Sequence, residues 1–147
     1  MDHAFLVETY ASERLKTLSV WSMFADEDLN VRPHPRLARD RTPREHMVHQ
    51  CMSEDKWFVG MFGIDVGAPP LPTEEKRLAF IRRYAEDSGN RLAALGTKDA
   101  AWWAEEVAFF DTRHNRAWIM GEGEARGGAK APLPGPGRHA STERPER

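Results

Sequence analysis

Apolar residues return every three or four positions in three stretches of the chain, and each stretch predicts an amphipathic helix. In the first, Ala4, Val7, Ala11, Leu15, Leu18, Trp21 and Phe24 form a stripe, with Glu8, Glu13, Arg14 and Lys16 between them and Asp2 as the N-cap. The second runs from Thr42 to Phe62. On its wheel Met47, Cys51, Phe58, Met61 and Phe62 make the core face, extended by Val48, Met52 and Val59. The third follows Thr73, a good N-cap with Glu74 and Glu75 behind it, and repeats Leu78, Ile81, Ala85, Ser88, Leu92 and Leu95, widened by Phe80 and Tyr84. Gly96 is the expected C-terminal stop of that helix.

The second stretch has the sharpest start. Thr42-Pro43-Arg44-Glu45 has the spacing of a capping box, and proline suits the first helical position because its missing N–H would have no intrahelical partner. This helix also concentrates candidate chemistry: His46, His49, the single cysteine Cys51, and the acidic pair Glu54 and Asp55. The wheel leaves both histidines peripheral. It sets Glu54 within the core arc and Asp55 on its flank, where a partly buried carboxylate needs an Arg, a His or a metal as partner, a structural ion pair being the ordinary case. Cys51 lacks a histidine at an activating spacing on its own face and reads as a small buried hydrophobe.

The connections separate the helices clearly. Residues 25 to 41 hold Pro33, His34 and Pro35, too long a link for a helical hairpin, and imply a crossing of the bundle end. Arg32, Arg36, Arg39, Arg41 and Arg44 there admit an anion site or a solvated loop balanced by Asp26, Glu27, Asp28 and Asp40. Gly63 to Pro72 is a Pro/Gly-rich connection. Asp99 to Phe110 reads as a short helix followed by an extended turn, or as one continuing helix, with Trp102, Trp103, Phe109 and Phe110 capping the core.

Composition narrows the function classes. With 147 residues and 40% hydrophobic content, one domain with a real core is expected. A net charge of −2 asks for no nucleic-acid partner. A lone cysteine, no basic-then-apolar leader and no run of about 18 apolar residues predict a cytoplasmic protein without membrane attachment.

Several segments together carry a family resemblance. These are M-V-H-Q-C-x-S-E-D-x-W-F in the second helix, I-D-V-G-A-P-P-L-P after it, Y-A-E-D-S in the third, and F-F-D before R-A-W. From Asp2 to about Met120 the chain resembles the DinB-like (YfiT-type) proteins. The resemblance implies an all-α four-helix bundle, often a homodimer, with a long link between the first two helices. It also implies a divalent metal, zinc or nickel, held by one histidine of the second helix and an H-x-x-x-H element of the fourth. His49 matches the second-helix ligand, and His46, three residues earlier, is a further candidate. Relatives in this class include thiol-dependent transferases and isomerases acting on small molecules. The alternative is a metal-free binding or dimerisation module.

The fourth element departs from that pattern. Thr112 to Met120 contains His114 but no H-x-x-x-H, and Gly121 to Arg147 holds six glycines and four prolines. Three long helices, a shortened fourth, a folded part spanning residues 1 to 120 and a disordered tail over 121 to 147 are therefore expected. The metal site would lack its fourth-helix ligands.

Overall fold

The computed structural model describes residues 3–32, 41–73 and 76–127, with side chains described as far as Gly121. The order is α1 (Ala4–Ser22), a 3-10 turn (Asp26–Asp28), α2 (Pro43–Trp57) running into a π turn (Phe58–Phe62), α3 (Arg77–Leu95), α4 (Ala100–Ala104), β1 (Glu106–Phe109), β2 (Thr112–Asn115) and α5 (Arg116–Gly127). The chain is mostly helical, as expected, and the three long helices lie where the periodicity placed them.

The ends of these helices follow local chemistry. At α2 the expected box forms: Glu45 N donates to Thr42 Oγ1 at 3.1 Å and Thr42 N donates to Glu45 Oε1 at 2.9 Å. Gly63, at φ 65, takes the left-handed conformation that ends the π turn. The start of α3 differs from expectation. Lys76 is its N-cap and not Thr73, and the donor at Arg77 N is satisfied at 2.8 Å by Asp26 Oδ1 from the 3-10 turn. A carboxylate distant in sequence thus does the work assigned to a local cap. Asp2, Glu74, Glu75 and residues 33 to 40 of the predicted link, including His34, Arg36 and Arg39, lie outside the described residues.

Beyond α3 the chain forms a short helix, as one of the two readings had it, capped by Asp99 Oδ1 on Trp102 N at 2.9 Å. A two-stranded antiparallel hairpin follows, pairing Glu106 with Asn115 and Phe109 with Thr112, which the helical reading of this region had not foreseen. Arg116 ties the hairpin to the bundle. Its guanidinium donates to Met61 O and Trp102 O, pairs with Glu105 at 2.6 Å and lies over the Trp102 ring. Asn115 Oδ1 caps α5, which continues to Gly127. The rest of the predicted tail lies outside the described residues.

Two apolar clusters form the core. One joins Leu6, Phe58, Phe62, Leu95, Trp103 and Ile119 with their neighbours. The other joins Trp21, Leu29, Met47, Cys51, Phe80 and Tyr84. Tyr10 belongs to the first and Tyr84 to the second, and both reach the same carboxylate between them.

The buried faces correct two of the expected stripes. In α1 the buried residues are Leu6, Tyr10 and Trp21, while Leu15 is 60% exposed. In α3 they are Phe80, Tyr84, Asp87, Ser88, Arg91 and Leu95, while Leu78 is exposed. At 100° per residue each face is turned by about 80° from the apolar stripe. The cause is common to both helices: polar side chains occupy the middle of the buried face. In α2, Met52 and Val59 do not extend the core but stand in solvent, at 52% and 44% exposure.

Candidate functional site: a buried carboxylate network

Glu54 is the centre of this polar interior. It projects from the buried face of α2 between Cys51 and Phe58 and is 8% exposed. Four donors converge on its two oxygens. Tyr10 Oη from α1 and Tyr84 Oη from α3 both donate to it, the latter at 2.7 Å to Oε1. Gln50 Nε2, one turn earlier on α2, donates to Oε1 at 2.9 Å. Arg91 of α3, 1% exposed, donates to Oε2 at 3.2 Å and from its other terminal nitrogen to Asp55 Oδ1 at 3.2 Å. The expectation that these carboxylates would be buried with an ionic partner is therefore met, and the partner is arginine.

Each member depends on its helix position. Asp87 and Ser88 lie three and four residues after Tyr84, and Arg91 four and three after them, so the four share one face of α3. Ser88 donates to Tyr84 O at 2.5 Å and accepts from Arg14 Nε at 2.7 Å, joining α1 to α3. Arg83 approaches Asp87 at 3.5 Å. The Arg91 guanidinium also lies 5.5 Å over the Phe58 ring, and Trp21 packs against Tyr84 at 5.2 Å.

The electrostatics follow from burial. Desolvation, reinforced by the Glu54 charge, pushes both tyrosine hydroxyls well above their ordinary value. For Arg91, burial acts to lower the value, but Glu54, Tyr10 and Asp55 outweigh it and the guanidinium is held more firmly protonated. Burial raises the Asp87 carboxyl despite Arg83 and Arg91. The Cys51 thiol is pushed up to about 11, mainly by burial, which suits the inert reading of this residue.

This arrangement can store a charge pair and align three helices. It is poorly suited to proton transfer, because all four donors already occupy the carboxylate and its immediate neighbours are side chains of the core.

The histidines lie elsewhere. His46 and His49 sit one turn apart on α2, away from the core face, in agreement with the wheel. His46 is exposed, yet local desolvation and then Arg41 hold its imidazole below the ordinary value, with Glu45 acting in the opposite direction. The His49 ring is contacted by Ser53 Oγ at 3.3 Å. His114 stacks on Trp118 at 3.6 Å, in the hairpin and α5 region. Among the described residues, no group of three or more His, Cys, Asp or Glu side chains is placed to share a metal ion. The donor set they offer to the implied metal is thus two imidazoles of one helix, which does not make the three-ligand site such an ion requires. Of the arginine cluster, Arg32 pairs with Glu45 at 3.5 Å and Arg44 lies over the Phe80 ring, so part of that charge is used within the fold.

Periodicity alone missed Tyr10, Gln50 and Arg91, and it placed Tyr84 on the core face without its carboxylate partner. A signal was present in Tyr84-x-x-Asp87-Ser88-x-x-Arg91, which has the spacing of a buried stripe but polar members. No helix among the described residues is long and apolar enough to cross a membrane. Compared with protein-family models, with curated proteins and with solved structures, the chain shows no match in any of the three.

Proposed function

We propose that the chain is a DinB-like helical bundle, related to thiol-dependent transferases and isomerases, whose own metal site is incomplete and whose divalent-metal binding is weak. The observation that carries this reading is the position of His46 and His49. They lie one turn apart near the start of a firmly capped second helix, on its outer face, behind the long link from α1. The resemblance calls for one metal-binding histidine on the second helix, and His49 is its match. Two imidazoles supply a foothold for zinc or nickel but not the three protein ligands of a catalytic centre. The interior offers no substitute, since Glu54 is fully engaged and the Cys51 thiol stays protonated at neutral pH.

Elemental analysis of untagged protein after gentle desalting tests the reading. Far less than one metal per chain is expected, unaffected by His49→Ala. About one zinc or nickel per chain, lost in His49→Ala, would overturn it and restore a metal-dependent enzyme.

A second reading, a homodimerising or binding module, is favoured by the exposure of Met52 on α2 and of Val59 in the π turn that continues it. Light scattering at tens of micromolar should then give a dimer that Met52→Glu dissociates. A monomer at that concentration contradicts it.

A further inference from the structure

The connection from residue 63 to residue 72 holds a chemistry that the interior does not use. Asp65 Oδ1 accepts from Gly67 N at 2.9 Å, and Gly67, at φ 65, takes the left-handed turn that leads into Ala68-Pro69-Pro70-Leu71-Pro72. Ala68, Pro69 and Leu71 each precede a proline and are thereby confined to extended backbone, while the rings of Pro69, Pro70 and Pro72 fix φ. Every peptide bond in the segment is trans. Together these restrictions leave polyproline II as the conformation of the run.

Two anchors fix this run to the bundle. Leu71 packs against the cluster that contains Trp21, Met47 and Phe80. Pro69 O accepts from Arg83 Nε at 3.0 Å and from a terminal nitrogen of the same guanidinium at 2.5 Å, and Arg83 in turn lies 3.5 Å from the buried Asp87. At about three residues per turn, Ala68 and Leu71 share one edge of the run, Pro69 and Pro72 the second, and Pro70 and Thr73 the third. Exposure follows that division. Ala68, Leu71 and, at the end of the run, Pro72 are half-buried, whereas Pro69, Pro70 and Thr73 stand in solvent. The adjacent Pro69 and Pro70 therefore present their rings on the two edges turned away from the core.

Partner proteins read a chain segment in a few recurring ways, and most of them are closed to this one. Pro69, Pro70 and Pro72 have no N–H with which to extend the edge of a sheet, and the run is not a helix that could enter a groove. We infer that Ala68 to Pro72 is a docking ridge for a partner protein whose shallow groove is lined by aromatic rings, the type of groove that reads extended proline-rich chain. Because Leu71 and Arg83 already hold the ridge in place, its ordering cost is met before the partner arrives. Asp65, exposed just upstream, adds a carboxylate that a basic residue on the rim of the groove would meet.

The test uses the full chain, isotope-labelled for heteronuclear NMR and titrated in turn with a WW domain and an SH3 domain as probes. At least one should shift the amides of Gly67, Ala68 and Leu71. The double variant Pro69→Ala, Pro70→Ala should weaken that binding by about tenfold or more and leave the helical circular dichroism intact, since both rings are exposed. No shift with either probe up to about 1 mM overturns the ridge. So does binding that the double variant leaves unchanged, which puts the contact elsewhere. A free peptide Gly-Ala-Pro-Pro-Leu-Pro-Thr that binds where the full chain does not shows that the fold covers the ridge, and overturns it too. Shifts at the same amides on concentrating the chain alone overturn it in favour of a second copy as the occupant.

Discussion

Replacing Glu54 by leucine removes one acceptor from four donors at once. Arg91, 1% exposed, keeps only Asp55 at 3.2 Å, and the Tyr10 and Tyr84 hydroxyls are left in the core without their acceptor. Breaking a buried ion pair costs about 3–5 kcal/mol. Each stranded hydroxyl adds about 1–3 kcal/mol. Against a total stability of roughly 5–15 kcal/mol, Glu54→Leu should leave the chain barely folded. Arg91→Met should be milder, about 2–4 kcal/mol, because Glu54 retains Tyr10, Tyr84 and Gln50 while methionine fills most of the guanidinium's volume. The double variant should cost at least about 1 kcal/mol less than the sum, since neither charge is then buried alone. Urea denaturation followed by circular dichroism measures all three, with Glu54→Gln as the milder variant if leucine prevents folding. A cost below about 1 kcal/mol for Glu54→Leu, typical of a surface site, would refute the reasoning. So would an Arg91→Met variant less stable than Glu54→Leu.

Other expectations follow from local chemistry. Thr42→Ala removes the side-chain acceptor for Glu45 N and should lower stability by about 0.5–2 kcal/mol; an unchanged denaturant midpoint rejects the cap. Cys51, buried and with its thiol raised to about 11, should resist alkylation at pH 8 until the chain opens, so labelling should accelerate steeply with urea; prompt labelling of the native protein contradicts its burial. His46 has a folded value below its unfolded one, so the unfolded chain takes up the proton first and stability should fall slightly as pH drops below about 6.5. His46→Gln should flatten that slope, and an unchanged slope excludes the residue as its source.

How much of this was legible in the sequence depends on which physical signal each feature uses. The start of α2 was legible because its capping box is closed within four residues. The end of α3 was legible too, where the apolar run stops at Leu95 before Gly96. The α3 start was not, because its cap comes from Asp26 across the fold. The orientation of α1 and α3 was misread because the buried faces carry Tyr10, Asp87 and Arg91, and an argument that equates apolar with buried turns away from such residues. Glu54 itself was anticipated as a paired carboxylate from the α2 wheel. Tyr10, Tyr84 and Arg91 were not anticipated as its partners, since they come from two other helices and no local spacing connects them to it. The hairpin went unseen because Phe109 and Phe110 suit a helix or a strand equally, and its turn places a phenylalanine where glycine is the recognisable signal.

The central claim is that one buried carboxylate holds both tyrosines of the chain. The sequence contains only two, Tyr10 and Tyr84, so tyrosinate absorption reports on this network alone. Desolvation and Glu54 raise both hydroxyls above the ordinary 10.0, so the folded chain keeps protons that the unfolded chain has released. Their contribution to stability is therefore complete below pH 10 and lost as pH rises beyond it. An alkaline titration followed simultaneously by tyrosinate absorption and far-ultraviolet circular dichroism should show no ionisation at pH 10, then a steep rise in both tyrosines coincident with loss of helix. Smooth ionisation of either tyrosine centred near pH 10, with the helical signal intact, would contradict the account.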